Sequence, residues 1–246
     1  MISFTPEQRF IVTGASSGIG ETVALQLNEE GATVIGIARN RERLDAMKAK
    51  AKYPENIFLE QKDLTEDIAG LPAYVKALKE KYGKFSGMAY CAGIATLQPL
   101  QSLDYEMLRE IFDTNYFAPV EMIKGFADKR NNVGAGTSIV AIASISALAR
   151  DKGHLSYAGS KAALVASLKS ISREVIERGI RVNCVSPSNV KTPINMMDGY
   201  EESQKHLYPF GFGETKDVSN MILYLLSEKA KFISGQNYVI DTGVVL

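Results

Sequence analysis

Short apolar runs alternate with amphipathic stretches along almost the whole chain. The apolar runs predict strands at residues 10–12, 33–38, 57–59, 86–90, 137–143, 180–186 and 237–240. The amphipathic stretches predict helices at residues 22–29, 41–52, 72–82, 104–126, 156–177 and 215–226. Strand and helix in alternation predict a doubly wound, Rossmann-type α/β fold with a parallel sheet of about seven strands.

The alternation runs through residues 1–246 without a repeat, a low-complexity tract or a linker, so it predicts a single domain. Ligands of such sheets bind beyond the carboxyl ends of the strands, and residues just after each strand are therefore the first candidates for a site. Residues 189–213, rich in glycine, methionine and aromatic side chains, are predicted to lie over that edge as a lid.

Composition limits the kinds of partner that the protein can have, but it says little about the fold. The formal net charge is +0, which gives no reason to expect nucleic acid or an anionic membrane as a partner. The beginning of the sequence lacks a basic region followed by an apolar run, and two cysteines are too few for a disulfide framework. We expect a cytoplasmic enzyme with a small-molecule substrate and no metal.

A glycine-rich segment follows the first predicted strand. It reads Thr13-Gly14-Ala15-Ser16-Ser17-Gly18-Ile19-Gly20 and leads into a helix. Glycines allow a tight turn and a close approach to phosphate, and the helix start offers free N–H groups. Three glycines can also be plain turn residues, but this placement predicts a dinucleotide site.

The second predicted strand ends without the acid that would bind the 2′-hydroxyl of NAD. Ala38 and Arg39 stand there instead, with Arg41 and Arg43 close by. A guanidinium suits a 2′-phosphate, so the pattern favours NADP(H) over NAD(H). The alternative is that Arg39 only solvates the start of a helix.

Tyr157 and Lys161 stand four residues apart at the start of a long helix, and so share one face. Free tyrosine titrates near pH 10, and a nearby ammonium would lower its pKa towards the range of an efficient proton donor and acceptor. Ser144 follows the fifth strand, where its hydroxyl can bond a substrate oxygen. Ser146 competes with it for that role.

These residues together resemble the short-chain dehydrogenase/reductase family, and the resemblance covers nearly the whole chain. Its landmarks, in family order, are the segment 13–20, Asp63, Ala92-Gly93, Asn115, Ser144 and the segment 157–161. In length and layout the chain looks like the family's 3-oxoacyl carrier-protein reductases. Lys129 and Arg130 could meet an acidic carrier protein, or simply form an exposed helix end.

The resemblance implies a Ser144–Tyr157–Lys161 centre assisted by Asn115. Tyr157 would protonate the carbonyl oxygen, Lys161 would hold the nicotinamide ribose, Asn115 would keep a helix kink, and Asp63 would meet the adenine. The implied cofactor contacts are Gly14, Ser16, Ser17, Gly18, Ile19, Arg39, Asp63, Leu64, Ala92, Gly93, Tyr157, Lys161, Pro187, Val190 and Thr192. The family also implies a homotetramer or homodimer, with the long helices and the last strand as interfaces.

Three positions depart from the family pattern. Tyr90-Cys91 replaces a pair of asparagines, Ser188 stands where glycine is usual, and Thr242 replaces the first of two glycines. The first change removes side-chain hydrogen bonds that brace a loop, and the second can crowd the nicotinamide edge.

The substrate contacts are the least determined part of the sequence. Ser146, His154, Met196 and Met197 are candidates, although His154 can equally be a solvated loop residue and the methionines can be packing within the lid. The leading hypothesis is an NADPH-dependent carbonyl reductase. An NAD-linked alcohol dehydrogenase and a non-catalytic dinucleotide sensor are the alternatives.

Overall fold

The computed structural model describes residues 2–149, 152–193, 201–202 and 206–244. The strands are β1 (Arg9–Thr13), β2 (Thr33–Ala38), β3 (Ile57–Gln61), β4 (Gly87–Tyr90), β5 (Ser138–Ile142), β6 (Arg181–Pro187) and β7 (Asn237–Ile240). The helices are α1 (Gly18–Glu29), α2 (Arg41–Ala49), α3 (Leu71–Tyr82), α4 (Tyr105–Phe112), α5 (Ala118–Phe126), α6 (Leu155–Val175) and α7 (Thr215–Leu226).

The strands form one parallel sheet in the order β3-β2-β1-β4-β5-β6-β7. The chain moves outward in one direction from β1 to β3, then returns to the other side of β1 at β4. This reversal leaves a crevice beyond the carboxyl ends of β1 and β4, where doubly wound sheets bind their ligands. The predicted α/β fold is confirmed.

Each face of the sheet has its own apolar core, because successive strand residues point to opposite faces. Ile11 packs on one face in the cluster that includes Phe126 of α5. Its neighbour Val12 packs on the other face, with Leu27 of α1 and Ile222 of α7. All five are at most 1% exposed, so the helices hold the strand ends in fixed positions.

The long helix predicted over residues 104–126 is interrupted in the structure. A π-helical turn, Asp113–Phe117, separates α4 from α5. The turn places the Asn115 side chain inside the protein, where it is 0% exposed. Buried polar groups need partners, and the altered turn brings this amide to them, as described below.

Within the described residues, no helix is long and apolar enough to cross a membrane, and no cluster of metal-binding side chains is present. Thr242 has a φ of 56°, in the left-handed region where the family usually has glycine. This backbone is costly for a β-branched residue. The departure from the family pattern at this position is therefore accompanied by local strain.

Candidate active site

A cleft opens at the carboxyl ends of β1, β4, β5 and β6, beside the start of α6. The predicted site residues that line it are Gly14, Ser17, Gly18, Ile19, Ala92, Gly93, Ser144, Ser146, His154, Tyr157, Lys161, Pro187, Val190 and Thr192. Ser16, Arg39, Asp63, Leu64 and Asn115 lie outside this lining. We call the part of the cleft around Tyr157 the catalytic end, and the surface around Arg39, outside the lining, the adenosine end.

The glycine loop, residues 13–20, turns tightly between β1 and α1. Gly14 and Gly18 have φ values of 66° and 57°, which favour glycine. A Cβ on Gly14 would lie 2.9 Å from the Ala92 nitrogen. Ser17 precedes α1, and its side chain makes no capping hydrogen bond. The first N–H groups of α1 are thus left to bind an anion, which fits the pyrophosphate of a dinucleotide.

Thr13 connects the ends of β1 and β4 directly. Its hydroxyl oxygen accepts hydrogen bonds from the Cys91 and Ala92 nitrogens, at 3.0 and 3.1 Å. These bonds brace the loop at which the family's asparagine pair is missing. Cys91 itself is half-buried and lines the cleft. Burial raises the pKa of its thiol to about 12, although Lys161 opposes the shift, so the thiol stays protonated at neutral pH.

Ser144 and Tyr157 meet at the catalytic end. Ser144 follows β5 and is 7% exposed, and its hydroxyl accepts a hydrogen bond from the Ser146 nitrogen at 3.1 Å. Tyr157 stands in the first turn of α6. Burial raises the pKa of the Tyr157 phenol, while the hydrogen bond with the Ser144 side chain works in the opposite direction. The phenol therefore remains a protonated donor at neutral pH.

Lys161 lies one helical turn further along α6 and is 4% exposed. Its Nζ donates a hydrogen bond to the Ile142 carbonyl at 2.9 Å and stands 5.9 Å from the centre of the Tyr157 ring. Burial lowers the pKa of Lys161 to about 8. The structure differs from the expected lowering of the Tyr157 pKa by this ammonium: burial raises that pKa, and the group that opposes the rise is the Ser144 hydroxyl, not Lys161.

Asn115 supports the catalytic end from the π-helical turn. Its Oδ1 accepts from the Ile94 nitrogen at 3.0 Å, and its Nδ2 donates to the Ile94 carbonyl at 2.9 Å and to the Ser160 hydroxyl at 3.2 Å. A Cβ on Gly93 would lie 3.1 Å from Asn115 Oδ1 and 3.3 Å from Lys161 Nζ. The two side chains are therefore close neighbours below the loop after β4.

The adenosine end is open to solvent. The Arg39 side chain is 70% exposed, and its guanidinium lies 3.8 Å from Asp63 Oδ2. Asp63 Oδ1 accepts from the Thr65 nitrogen and hydroxyl, at 2.9 and 2.7 Å. Burial of Asp63 acts to raise its pKa, but the Thr65 hydrogen bonds and Arg39 lower it overall. Leu64 is buried, at 7% exposed, whereas the exposed Arg39 side chain has room to turn towards a ligand.

The segment after β6 forms the far wall of the cleft. Val190 pairs through its backbone with Gly213, and the Thr192 hydroxyl donates to the Val190 carbonyl at 3.4 Å. Tyr208 comes from the predicted lid, lines the cleft and accepts a hydrogen bond from Asn189 Nδ2 at 3.1 Å. Met196 and Met197 lie outside the described residues.

Several structural contributions had no specific signal in the sequence. The backbone groups of Ile94 and Ile142 hold Asn115 and Lys161, and a carbonyl or N–H carries no mark of its partner in the sequence. Tyr208 was predicted only as part of the lid over residues 189–213, and nothing in the sequence indicated that its hydroxyl is hydrogen-bonded at the wall. The position of Thr13 at the end of a strand was the one available indication of its role.

Comparison with known proteins agrees with this geometry. A family model described as enoyl-(acyl carrier protein) reductase matches residues 14–245. A 3-oxoacyl-[acyl-carrier-protein] reductase from Thermotoga maritima is 30% identical over 243 residues, which cover 96% of this chain and 97% of that protein. An NAD-dependent glycerol dehydrogenase from Listeria innocua is 29% identical over 240 residues, covering 96% of this chain and 93% of that protein.

A solved structure extends the likeness to three dimensions. A short-chain dehydrogenase from Burkholderia cenocepacia J2315, in complex with NADP, is similar with a TM-score of 0.89 at 27% identity, over 98% of both chains. The chain belongs to the short-chain dehydrogenase/reductase family, and is an oxidoreductase that acts on a carbonyl or an alcohol with NAD(P).

Proposed function

We propose that this protein is an NADPH-dependent reductase that converts a ketone to a secondary alcohol. The observation that carries the proposal is the meeting of Ser144, Tyr157 and Lys161 in one cleft with the glycine loop. A proton donor, a hydrogen-bonding hydroxyl and a buried amine are the groups that carbonyl reduction requires.

Tyr157 protonates the carbonyl oxygen in this mechanism, and the Ser144 hydroxyl hydrogen-bonds the same oxygen as negative charge develops on it. The chemistry that a bound NADPH supplies is a hydride for the carbonyl carbon. Lys161, with a pKa of about 8, is mainly protonated at pH 7 and stabilises charge beside the phenol. Asn115 positions the loop and helix that hold Lys161.

The raised pKa of Tyr157 means that the phenol holds its proton at neutral pH. Reduction needs a protonated phenol as the donor, whereas oxidation of an alcohol needs the phenolate as the base. Burial keeps the phenol protonated, so the site is prepared for the first of these tasks at neutral pH.

Arg39 supports NADPH as the preferred cofactor. It follows β2, is largely exposed and contacts Asp63 only at 3.8 Å. Its neighbour Arg41 is engaged differently, since its Nε donates to both oxygens of Asp45 at 3.2 and 3.0 Å. Arg39 is therefore better placed than Arg41 to bind a 2′-phosphate.

A second candidate is NAD-linked oxidation of an alcohol. The proximity of Asp63 to Arg39 favours it, because an ion pair there would reduce the attraction of Arg39 for a phosphate. The relative from Listeria innocua is named as an NAD-dependent enzyme.

A carrier-bound acyl substrate has less support than a small ketone. Lys129 and Arg130 precede β5 and lie at the amino-terminal ends of the strands, on the side of the sheet opposite the cleft.

We also propose a homotetramer, or a homodimer at least. Exposed aromatic side chains lie at the start of α4, at Tyr105, in the π-helical turn, at Phe117, and before β7, at Phe232, which is 95% exposed. Such apolar side chains are typical of surfaces that a partner covers. Native mass spectrometry gives the number of subunits directly.

The first experiment is NADPH consumption with a panel of ketones, 3-oxoacyl thioesters and keto-sugars, with NADH in parallel. The proposal expects reduction of at least one class, faster with NADPH at equal concentration. Faster turnover with NADH would transfer support to the second candidate. Binding of NADPH without turnover of any carbonyl would contradict both enzymatic proposals and favour a dinucleotide sensor.

A further inference from the structure

His154 occupies the wall of the cleft next to the proposed proton donor. We propose that its imidazole hydrogen-bonds a second, uncharged oxygen of the substrate, on a carbon close to the carbonyl that Tyr157 protonates. The inference rests on the proposed function and defines its substrate as an oxygen-substituted ketone, such as a hydroxyketone or a diketone.

The backbone holds His154 in one place. It is the residue before α6, with φ −97° and ψ 18°, and its carbonyl accepts the Ala158 nitrogen at 2.7 Å. The imidazole ring centre lies 6.3 Å from the centre of the Tyr157 ring, and the ring planes are inclined at 56°. A substrate whose carbonyl contacts Tyr157 therefore presents its adjacent carbons to His154.

The imidazole has a nitrogen that no described residue satisfies. His154 Nδ1 is buried and has no hydrogen-bond partner within the described parts of the chain. A buried nitrogen without a partner is costly, and native proteins usually satisfy such groups. Lys161 and Asn115, by contrast, have their hydrogen bonds within the protein. The unpaired nitrogen is thus a group that a ligand in the cleft can satisfy.

The charge of the cleft argues that the second oxygen is neutral. Among the described residues that line the cleft, Lys161 is the only lysine or arginine, and it donates to the Ile142 carbonyl. A carboxylate or phosphate next to His154 would lack a cation to pair with, at a high cost of desolvation. A neutral imidazole can donate to a carbonyl or accept from a hydroxyl, depending on its tautomer.

The test compares matched ketones with the parental enzyme and three variants. The substrates are 2-butanone against 1-hydroxy-2-butanone, and 2-pentanone against 2,4-pentanedione. His154→Phe removes the hydrogen bond at similar size, and His154→Gln keeps a polar group. His206→Phe is the control, because His206 is exposed and does not line the cleft.

The ratio of kcat/KM between oxygenated and plain ketone is the readout, so the intrinsic reactivity of each substrate cancels between variants. His154→Phe is expected to lower the ratio by about tenfold, as for loss of one hydrogen bond. Activity on the plain ketone should stay within about twofold, and His154→Gln should recover part of the ratio. An unchanged ratio, or an equal loss for both ketones, overturns the inference.

A second readout needs no turnover. The chain has 2 histidines, so the His154→Phe variant assigns the His154 ring signal in a histidine-labelled NMR spectrum. With NADP⁺ present, 1-hydroxy-2-butanone should shift that signal while 2-butanone does not. Equal shifts, or none, overturn the inference. Failure of the parental enzyme to reduce any ketone contradicts the proposed function alone, and the NMR titration then still decides the role of His154.

Discussion

The catalytic end and the adenosine end place their cations in opposite surroundings. At the catalytic end, Lys161 is 4% exposed and bonded to a backbone carbonyl. At the adenosine end, the Arg39 side chain is 70% exposed, with one carboxylate 3.8 Å away. Both residues are cationic, and burial lowers the pKa of Lys161 to about 8.

The difference shows how burial separates two tasks within one site. Low-dielectric surroundings strengthen the interactions that act on the reacting atoms and shift proton equilibria. An exposed cation is screened by salt, so its interaction with a ligand is weaker. It can still bind one of two cofactors more tightly when they differ by a phosphate. We therefore expect changes at the catalytic end to affect kcat, and changes at the adenosine end to affect the KM of the cofactor.

Tyr157→Phe tests the buried end most directly. Loss of the general acid should lower kcat by roughly two to four orders of magnitude and leave the dissociation constant of NADPH nearly unchanged. Steady-state kinetics and fluorescence titration of NADPH measure the two effects. Tyr116→Phe, which removes a hydroxyl bonded to Ser167 at 3.0 Å, is the control. Undiminished turnover in Tyr157→Phe contradicts the mechanism.

The lowered pKa of Lys161 predicts a dependence of stability on pH. Its pKa is about 8 in the folded protein against 10.5 for the free side chain. Between these values the unfolded state binds more protons, so the free energy of unfolding rises with pH. Relative to Lys161→Met, the parental protein should gain up to about 3 kcal/mol from pH 8 to pH 10.5.

Urea unfolding of both proteins across this pH range gives the difference between their free energies, in which the titration of all other groups cancels. Parallel curves for the two proteins would show that Lys161 titrates as it does in water. Such a result would remove the contrast between the catalytic end and the adenosine end.

Arg39→Ala tests the role of the exposed cation at the adenosine end. Loss of a charged hydrogen bond to the 2′-phosphate should raise the KM for NADPH about tenfold and leave kcat and the KM for NADH nearly unchanged. Arg41→Ala is the matched control, because Arg41 already bonds Asp45. Equal effects of Arg39→Ala on both cofactors would contradict the assignment of NADPH.

Salt should produce the smallest effect. Raising NaCl from about 0.05 to about 0.5 M shortens the screening length severalfold, and should raise the KM for NADPH about two- to threefold. The KM for NADH should change less, and kcat at saturating cofactor should hold, because Lys161 is buried. A fall in kcat at high salt would contradict this expectation, because it would mean that a charge exposed to salt acts at the catalytic end.

The sequence predicted the sheet well, because its signals are local. The strand over residues 33–38 agrees with β2 as observed, since a continuous β-branched run next to glycine and arginine has few alternatives. The helix predicted from residue 22 begins at Gly18, because glycines obscure the start of a helix. Residues 104–126 looked like one helix, and their periodicity gave no sign of the π-helical turn.

The site was predictable where a side chain's type carries its role. Tyr157, Lys161 and Ser144 could be grouped in this way, and the structure brings them to one cleft. The unpaired nitrogen of His154 could not be predicted, because it depends on whether a neighbouring segment places a hydrogen-bonding group beside it in the folded protein. The balance of the Tyr157 pKa also depends on burial, which no spacing of residues reveals.

The π-helical turn at Asp113–Phe117 constrains the length of this chain as well as its shape. Such a turn amounts to one residue inserted into a helix. Deleting a residue there would restore regular α-helical hydrogen bonding. Because the wider turn takes up the extra residue locally, the face of α5 with Met122 and Phe126 would keep its direction, whereas Asn115 would lose the turn that places it inside the protein. The number of residues in this turn therefore matters more to the position of Asn115 than to the packing of α5.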